Sequence, residues 1–151
     1  MRSYILERIA TDLLSISPLI FRGIRRKLIK TTISDINVDI TPLHFEIMRE
    51  LKKSGTLHVA KIGEKLQIAR AQMTQLIDKL VDLNIVVRET DIGDRRTFNI
   101  TLTDHGRIVL EKHNNRLMSA IQENMSRLTD VELEDLSNSL RKLHNILSKL
   151  Q

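Results

Sequence analysis

Arg70, Gln72 and Gln75 stand together in the middle of this 151-residue chain, and all three side chains are suited to hydrogen bonding with base edges. Glutamine makes paired bonds to adenine N6 and N7, and arginine to guanine O6 and N7, when a helix end carries them into a major groove. Ala71, Thr74 and Lys79 share the stretch, and the hydroxyl and ammonium suit phosphate oxygens, which set register without reading sequence. Further on, Asp94-Arg95-Arg96 sets adjacent guanidiniums in a turn. The negative potential of a narrow minor groove favours arginine, and Asp94 is placed to hold one guanidinium by a charge-assisted pair. A solvated helix face and an ordinary turn ion pair would use the same residue types, so the surrounding elements decide the reading.

Those elements are specific. Val59, Ile62 and Leu66 define a short helix, and Met73, Leu76, Ile77, Leu80 and Leu83 recur at the spacing of a buried helical stripe. The connection between them is too short for an independent layer, so the two helices must cross sharply and share a core, as in a helix-turn-helix. Arg70, Ala71, Gln72, Thr74, Gln75 and Lys79 then fall on the face opposite the stripe. Asn84 stands where a left-handed helix end is wanted. From Ile85 the period becomes strand-like: Ile85, Val86 and Val87 are β-branched, and Phe98, Ile100 and Leu102 alternate with Asn99 and Thr101. Gly93 supplies turn character between them, which predicts a hairpin, the wing.

Outside this centre the pattern is helical. Thr41 followed by Pro42 is a helix start carrying Phe45, Met48 and Leu51 inward. Ile16, Ile20, Ile24 and Leu28 continue a helical pattern through the first thirty residues, with Pro18 inside; one kinked helix and two helices both satisfy the pattern. Residues 31–40 read as a polar loop. Thr103 caps a helix with Ile108, Leu110, Leu117, Ile121 and Met125, and Thr129 with Glu132 forms a capping-box pattern before the leucines of the last helix. The expected organisation is 1–40 as N-terminal dimerisation helices, 41–104 as a winged helix-turn-helix and 105–151 as C-terminal dimerisation helices. The fold class is mainly α with a small β-hairpin wing. The terminal helices carry more apolar stripe than the small central domain can cover, which predicts a homodimer.

Composition narrows the function. A formal charge of +5 favours a polyanionic partner. Aromatics at 3% leave little for stacking on unpaired bases, so double-stranded DNA fits better than single strands or RNA. The absence of cysteine removes disulfides, thiolate metal sites and thiol redox sensing. No apolar run reaches the ~20 residues of a membrane span, and Glu7 and Asp12 interrupt any signal-peptide pattern, which predicts a cytoplasmic protein without a membrane partner. The glycines form no phosphate loop, and no catalytic motif is present, so no enzyme activity and no cofactor are expected. His44, His105 and His113 are scattered over helices, and no metal site is assigned to them.

Leu66-Gln67-Ile68 leading into Met73-Thr74-Gln75-Leu76-Ile77-Asp78-Lys79-Leu80, then Asp94-Arg95-Arg96 and Leu102-Thr103 with Gly106, resembles the multiple-antibiotic-resistance regulator (MarR) family. The motif match runs from residue 41 to residue 106. The resemblance implies a homodimeric transcription regulator on a pseudopalindromic operator, with Arg96 in the minor groove buttressed by Asp94, and Arg70, Gln72 and Gln75 facing the major groove. It also implies a small aromatic or phenolic ligand and a repressor's role. Gln67, Ala69, Gln75 and Asn84 depart from the residues usual in that pattern. A winged helix used for protein interaction is the alternative, and it would need no basic wing.

Overall fold

The computed structural model describes residues 1–35 and 40–151. Its elements are α1 (Arg2–Asp35), α2 (Pro42–Ser54), β1 (Leu57–His58), α3 (Val59–Leu66), α4 (Arg70–Asp82), β2 (Val86–Thr90), β3 (Phe98–Leu102), α5 (Asp104–Met125) and α6 (Asp130–Leu147), with a 3-10 turn at Ser148–Leu150. The chain divides into two units, Asn37–Asn115 and a second made of Met1–Ile36 with Arg116–Gln151.

The Asn37–Asn115 unit is a winged helix-turn-helix. Its core joins Phe45, Ile47, Met48 and Leu51 of α2, Ile62 of α3 and Met73, Leu76, Ile77 and Leu80 of α4 to Val86, Ile100 and Leu102 of the sheet and Leu110 of α5. The predicted stripe on α4 is thus its buried face. Pro42 occupies the first turn of α2, where a missing amide costs nothing. There the Thr41 amide donates to His44 Nδ1 at 2.9 Å.

Both helices of the motif end in the same way. The amide of Ile68 donates to the Gly63 carbonyl at 2.9 Å across a left-handed Gln67, and that of Ile85 donates to Leu80 at 2.9 Å across a left-handed Asn84. These closures satisfy helix-end carbonyls and reverse the chain within two residues. Asn84 was the expected site; Gln67 pays the steric cost of a side chain with φ 55°.

The sheet has one strand more than the hairpin read from the sequence. β2 and β3 pair antiparallel with Val86 opposite Leu102 and Arg88 opposite Ile100. β1, only two residues long, adds to the other edge of β3 with Leu57 opposite Ile100. A strand so short carries no readable period.

In the other unit α1 runs unbroken through Pro18. The Ser17 hydroxyl donates to the Leu13 carbonyl at 3.2 Å in the adjoining turn. The loop expected over residues 31–40 is corrected at its start, because α1 continues to Asp35. Extending a formed helix fixes one residue per bond, so polar Thr31 and Thr32 do not stop it. Residues 36–39 of that expected loop lie outside the described residues. In α6, Thr129 Oγ1 accepts from the Glu132 amide at 3.2 Å, and Glu132 Oε2 accepts from the Thr129 amide at 2.8 Å, the capping box expected there. No residue of α6 is buried. Leu14 and Leu19 of α1 are 77% and 73% exposed, so both helices present apolar side chains to solvent.

Candidate nucleic-acid interface

Arg70, Ala71, Gln72, Thr74 and Gln75 are exposed on α4, as their position opposite the core stripe requires. They form two stripes. Arg70 and Thr74, four residues apart and followed by Asp78, look toward the wing; Gln72 and Gln75 lie on the neighbouring stripe. The Thr74 hydroxyl donates to the Arg70 carbonyl at 3.2 Å. Ala69 caps α4 with an extended backbone and no side-chain bond, so the first-turn amides have no capping oxygen from it. Lys79 is half-buried. Its charge reaches His44, whose imidazole is held below its usual pKa first by burial and second by that ammonium.

On the wing, Asp94 Oδ1 accepts the Arg96 amide at 3.0 Å and lies 3.7 Å from Arg96 Nε. The Thr97 amide donates to the Asp94 carbonyl at 3.1 Å, and the Asp91 amide to the Thr97 carbonyl at 3.0 Å, which closes the loop between β2 and β3. Asn99 Nδ2 donates to Asp91 Oδ1 at 3.4 Å. A carboxylate bonded to the backbone two residues on is a turn device, and the Arg96 side chain beside it is 95% exposed. Arg95 is exposed beside it.

Helix and wing meet around a groove of about 520 Å³ lined by Arg70 and Thr74 of α4, Arg88 of β2 and Arg96, Thr97 and Phe98 of the wing. Val59, Ile68, Met73 and Ile77 add apolar lining, and His58 and Glu64 its other polar groups. Three arginines against one glutamate make this concavity cationic. The structure therefore brings Arg70, Thr74 and Arg96 into one groove, and leaves Gln72, Gln75, Lys79 and Arg95 outside its lining. Arg88 and Phe98 also line it, and sequence reading did not single them out. An arginine interrupting the inward-facing alternation of β2 was the available signal.

His113 stacks on Phe45 with ring centroids 3.5 Å apart, and His44, the residue before Phe45, is buried. Among the described residues no group of three or more His, Cys, Asp or Glu is arranged to hold a metal ion. Among the same residues no helix is long and apolar enough to cross a membrane.

Residues 38–97 match the model of the MarR family. The HTH-type transcriptional repressor MdtR of Bacillus subtilis is 29% identical over 104 residues, covering 69% of this chain and 67% of that protein. Two solved structures share the fold: the YusO protein from Bacillus subtilis, at TM-score 0.73 and 24% identity over 92% of this chain and 96% of that one, and a MarR family protein from Bacillus stearothermophilus, at TM-score 0.73 and 22% identity over 98% and 99%. Winged-helix geometry, basic wing and family match agree: residues 38–97 of this chain resemble the winged helix of MarR-family regulators, and the chain is similar to HTH-type transcriptional regulators.

Proposed function

We propose that the protein is a sequence-specific repressor that binds a pseudopalindromic duplex as a homodimer. The observation that carries this reading is the junction of an exposed polar α4 face with an Asp94-supported Arg96 around one cationic groove. On this reading Arg70, Gln72 and Gln75 read base edges in the major groove, with Ala71 allowing close approach. Thr74 and Lys79 hold phosphates, and Arg95 and Arg96 follow the minor groove. The Thr74 hydroxyl must leave the Arg70 carbonyl to do so.

Exposed leucines on α1 and α6 support the pairing. A monomer leaves Leu140, Leu143, Ile146, Leu147 and Leu150 in water, a cost that two-fold association relieves. The terminal helices, 1–40 and 105–151, are the dimerisation elements of this proposal, and 41–104 the DNA-binding domain. Two recognition helices about 34 Å apart would then meet successive major grooves. Repression, the role carried in the name of the relative MdtR, follows from occlusion of a promoter. A small aromatic or phenolic effector, expected from the family, would act only through unequal affinity for binding-competent and incompetent dimers.

Selection of bound fragments from a random duplex pool tests the reading. A recovered palindromic consensus is expected; Arg96→Ala weakens binding across sequences, and Gln75→Ala alters preference at particular bases. Recovery of no consensus, or a uniform loss for Gln75→Ala, counts against it. Repeating the selection with phenolic compounds tests the effector.

A further inference from the structure

We propose that Arg88 is a positioning residue that sets the separation between α4 and the wing, an inference that rests on the duplex-binding reading above. Register places Arg88 on β2 opposite Ile100, with Val86 opposite Leu102 two residues earlier. Val86, Ile100 and Leu102 are all buried, so Arg88 shares their face of the sheet at the end where that face opens to solvent, with its side chain 34% exposed. A cation sits in such a place by carrying its head out of the core to a partner.

Two partners hold it. Arg88 Nη1 donates to Asp78 Oδ1 of α4 at 2.7 Å, and the guanidinium carbon lies 5.6 Å from the centre of the Phe98 ring on β3. Asp78 is the third member of the Arg70–Thr74 stripe, eight residues along from Arg70, so Arg88, which lines the groove with those two residues, is bonded to the same stripe of α4. One guanidinium thus ties the recognition helix to β2 and stacks on β3. Removing Asp78 frees a cation and makes this face more positive. Simple charge attraction to phosphate therefore predicts tighter DNA binding, whereas a strut predicts weaker binding.

The test uses the 151-residue chain, whose lack of cysteine lets paired nitroxides be placed cleanly on cysteines introduced at Asp82 and Ile92. Doubly labelled chains diluted with unlabelled ones give the helix-to-wing distance distribution by electron–electron resonance. Asp78→Asn and Arg88→Gln are each expected to broaden it, the double variant no more than either alone, and Arg88→Lys less than Arg88→Gln. On a mixed-sequence duplex of about three turns, Asp78→Asn is expected to lose roughly two- to fivefold in affinity, the range for a partly exposed pair. An unchanged distribution, additive effects in the double variant, or tighter binding by Asp78→Asn overturns the proposal. If the unsubstituted chain binds no duplex, the DNA reading fails, and the distance distributions still judge the strut.

Discussion

Gly106→Ala should destabilise the protein out of proportion to a single methyl group. Gly106 lies in the first turn of α5, where a Cβ would collide with the carbonyl oxygen of Ile85 and lie 2.8 Å from Leu102 Cδ1. The carbonyl has little room to yield, because it accepts the Thr103 amide at 3.0 Å and the Thr103 hydroxyl at 3.0 Å. The Gly106 amide in turn donates to Thr103 Oγ1 at 2.9 Å. Relieving the overlap means moving the start of α5 by about 1 Å to regain an ordinary C···O separation, which stretches these bonds together. Their weakening costs roughly 1–3 kcal/mol, and crowding of the buried Leu102 adds a similar amount. Alanine's better helix propensity returns only about 1 kcal/mol. A net loss of roughly 1–5 kcal/mol remains, which for a chain of this size lowers Tm by roughly 2–20 °C. Urea and thermal unfolding followed by circular dichroism, at one fixed chain concentration, provide the assay. Gly93→Ala is the control, since its Cβ would meet only Asp91 Oδ2 at 3.7 Å. A Gly106→Ala chain as stable as the unsubstituted one, or more stable by helix propensity alone, would refute the reasoning.

Gln67→Gly should stabilise the chain by up to about 1 kcal/mol, because relief of the left-handed side chain outweighs the added freedom of the unfolded state. Asn84→Gly should gain less, since asparagine tolerates that conformation; equal gains in urea midpoint would contradict the difference. Thr129→Ala should cost about 1 kcal/mol by opening the capping box, seen as faster amide exchange in the first turn of α6. Stability should also follow His44. Burial and then Lys79 hold its folded pKa below the usual 6.5, so the unfolded chain binds the proton more readily. The contribution is therefore intact above that value and is lost as pH falls through it toward the folded pKa. Protonation would also remove the Nδ1 lone pair that accepts the Thr41 amide. The urea midpoint of His44→Gln should fall less steeply with acid over that window, and parallel profiles would argue otherwise.

Sequence alone determined the features whose energies lie within a few residues. The stripe from Met73 to Leu80, the Thr41-Pro42 start of α2, the Thr129–Glu132 box and the left-handed Asn84 each follow from local periodicity or capping, and each stands in the structure. Alternation in residues 98–102 likewise located β3. Other features depended on segments that meet only after folding. β1 is a strand because β3 lies beside it, with Thr56 Oγ1 2.8 Å from Thr101 Oγ1 across 45 positions of chain. Arg88 has a partner because α4 crosses near β2, and Gly106 must be glycine because the Ile85 carbonyl closes on it. Gln67 is left-handed because the turn between α3 and α4 demands it, although its side chain resists. Local free energies are written in neighbouring residue types, whereas close approach and ion pairing across elements are written only in the packing that brings distant residues together.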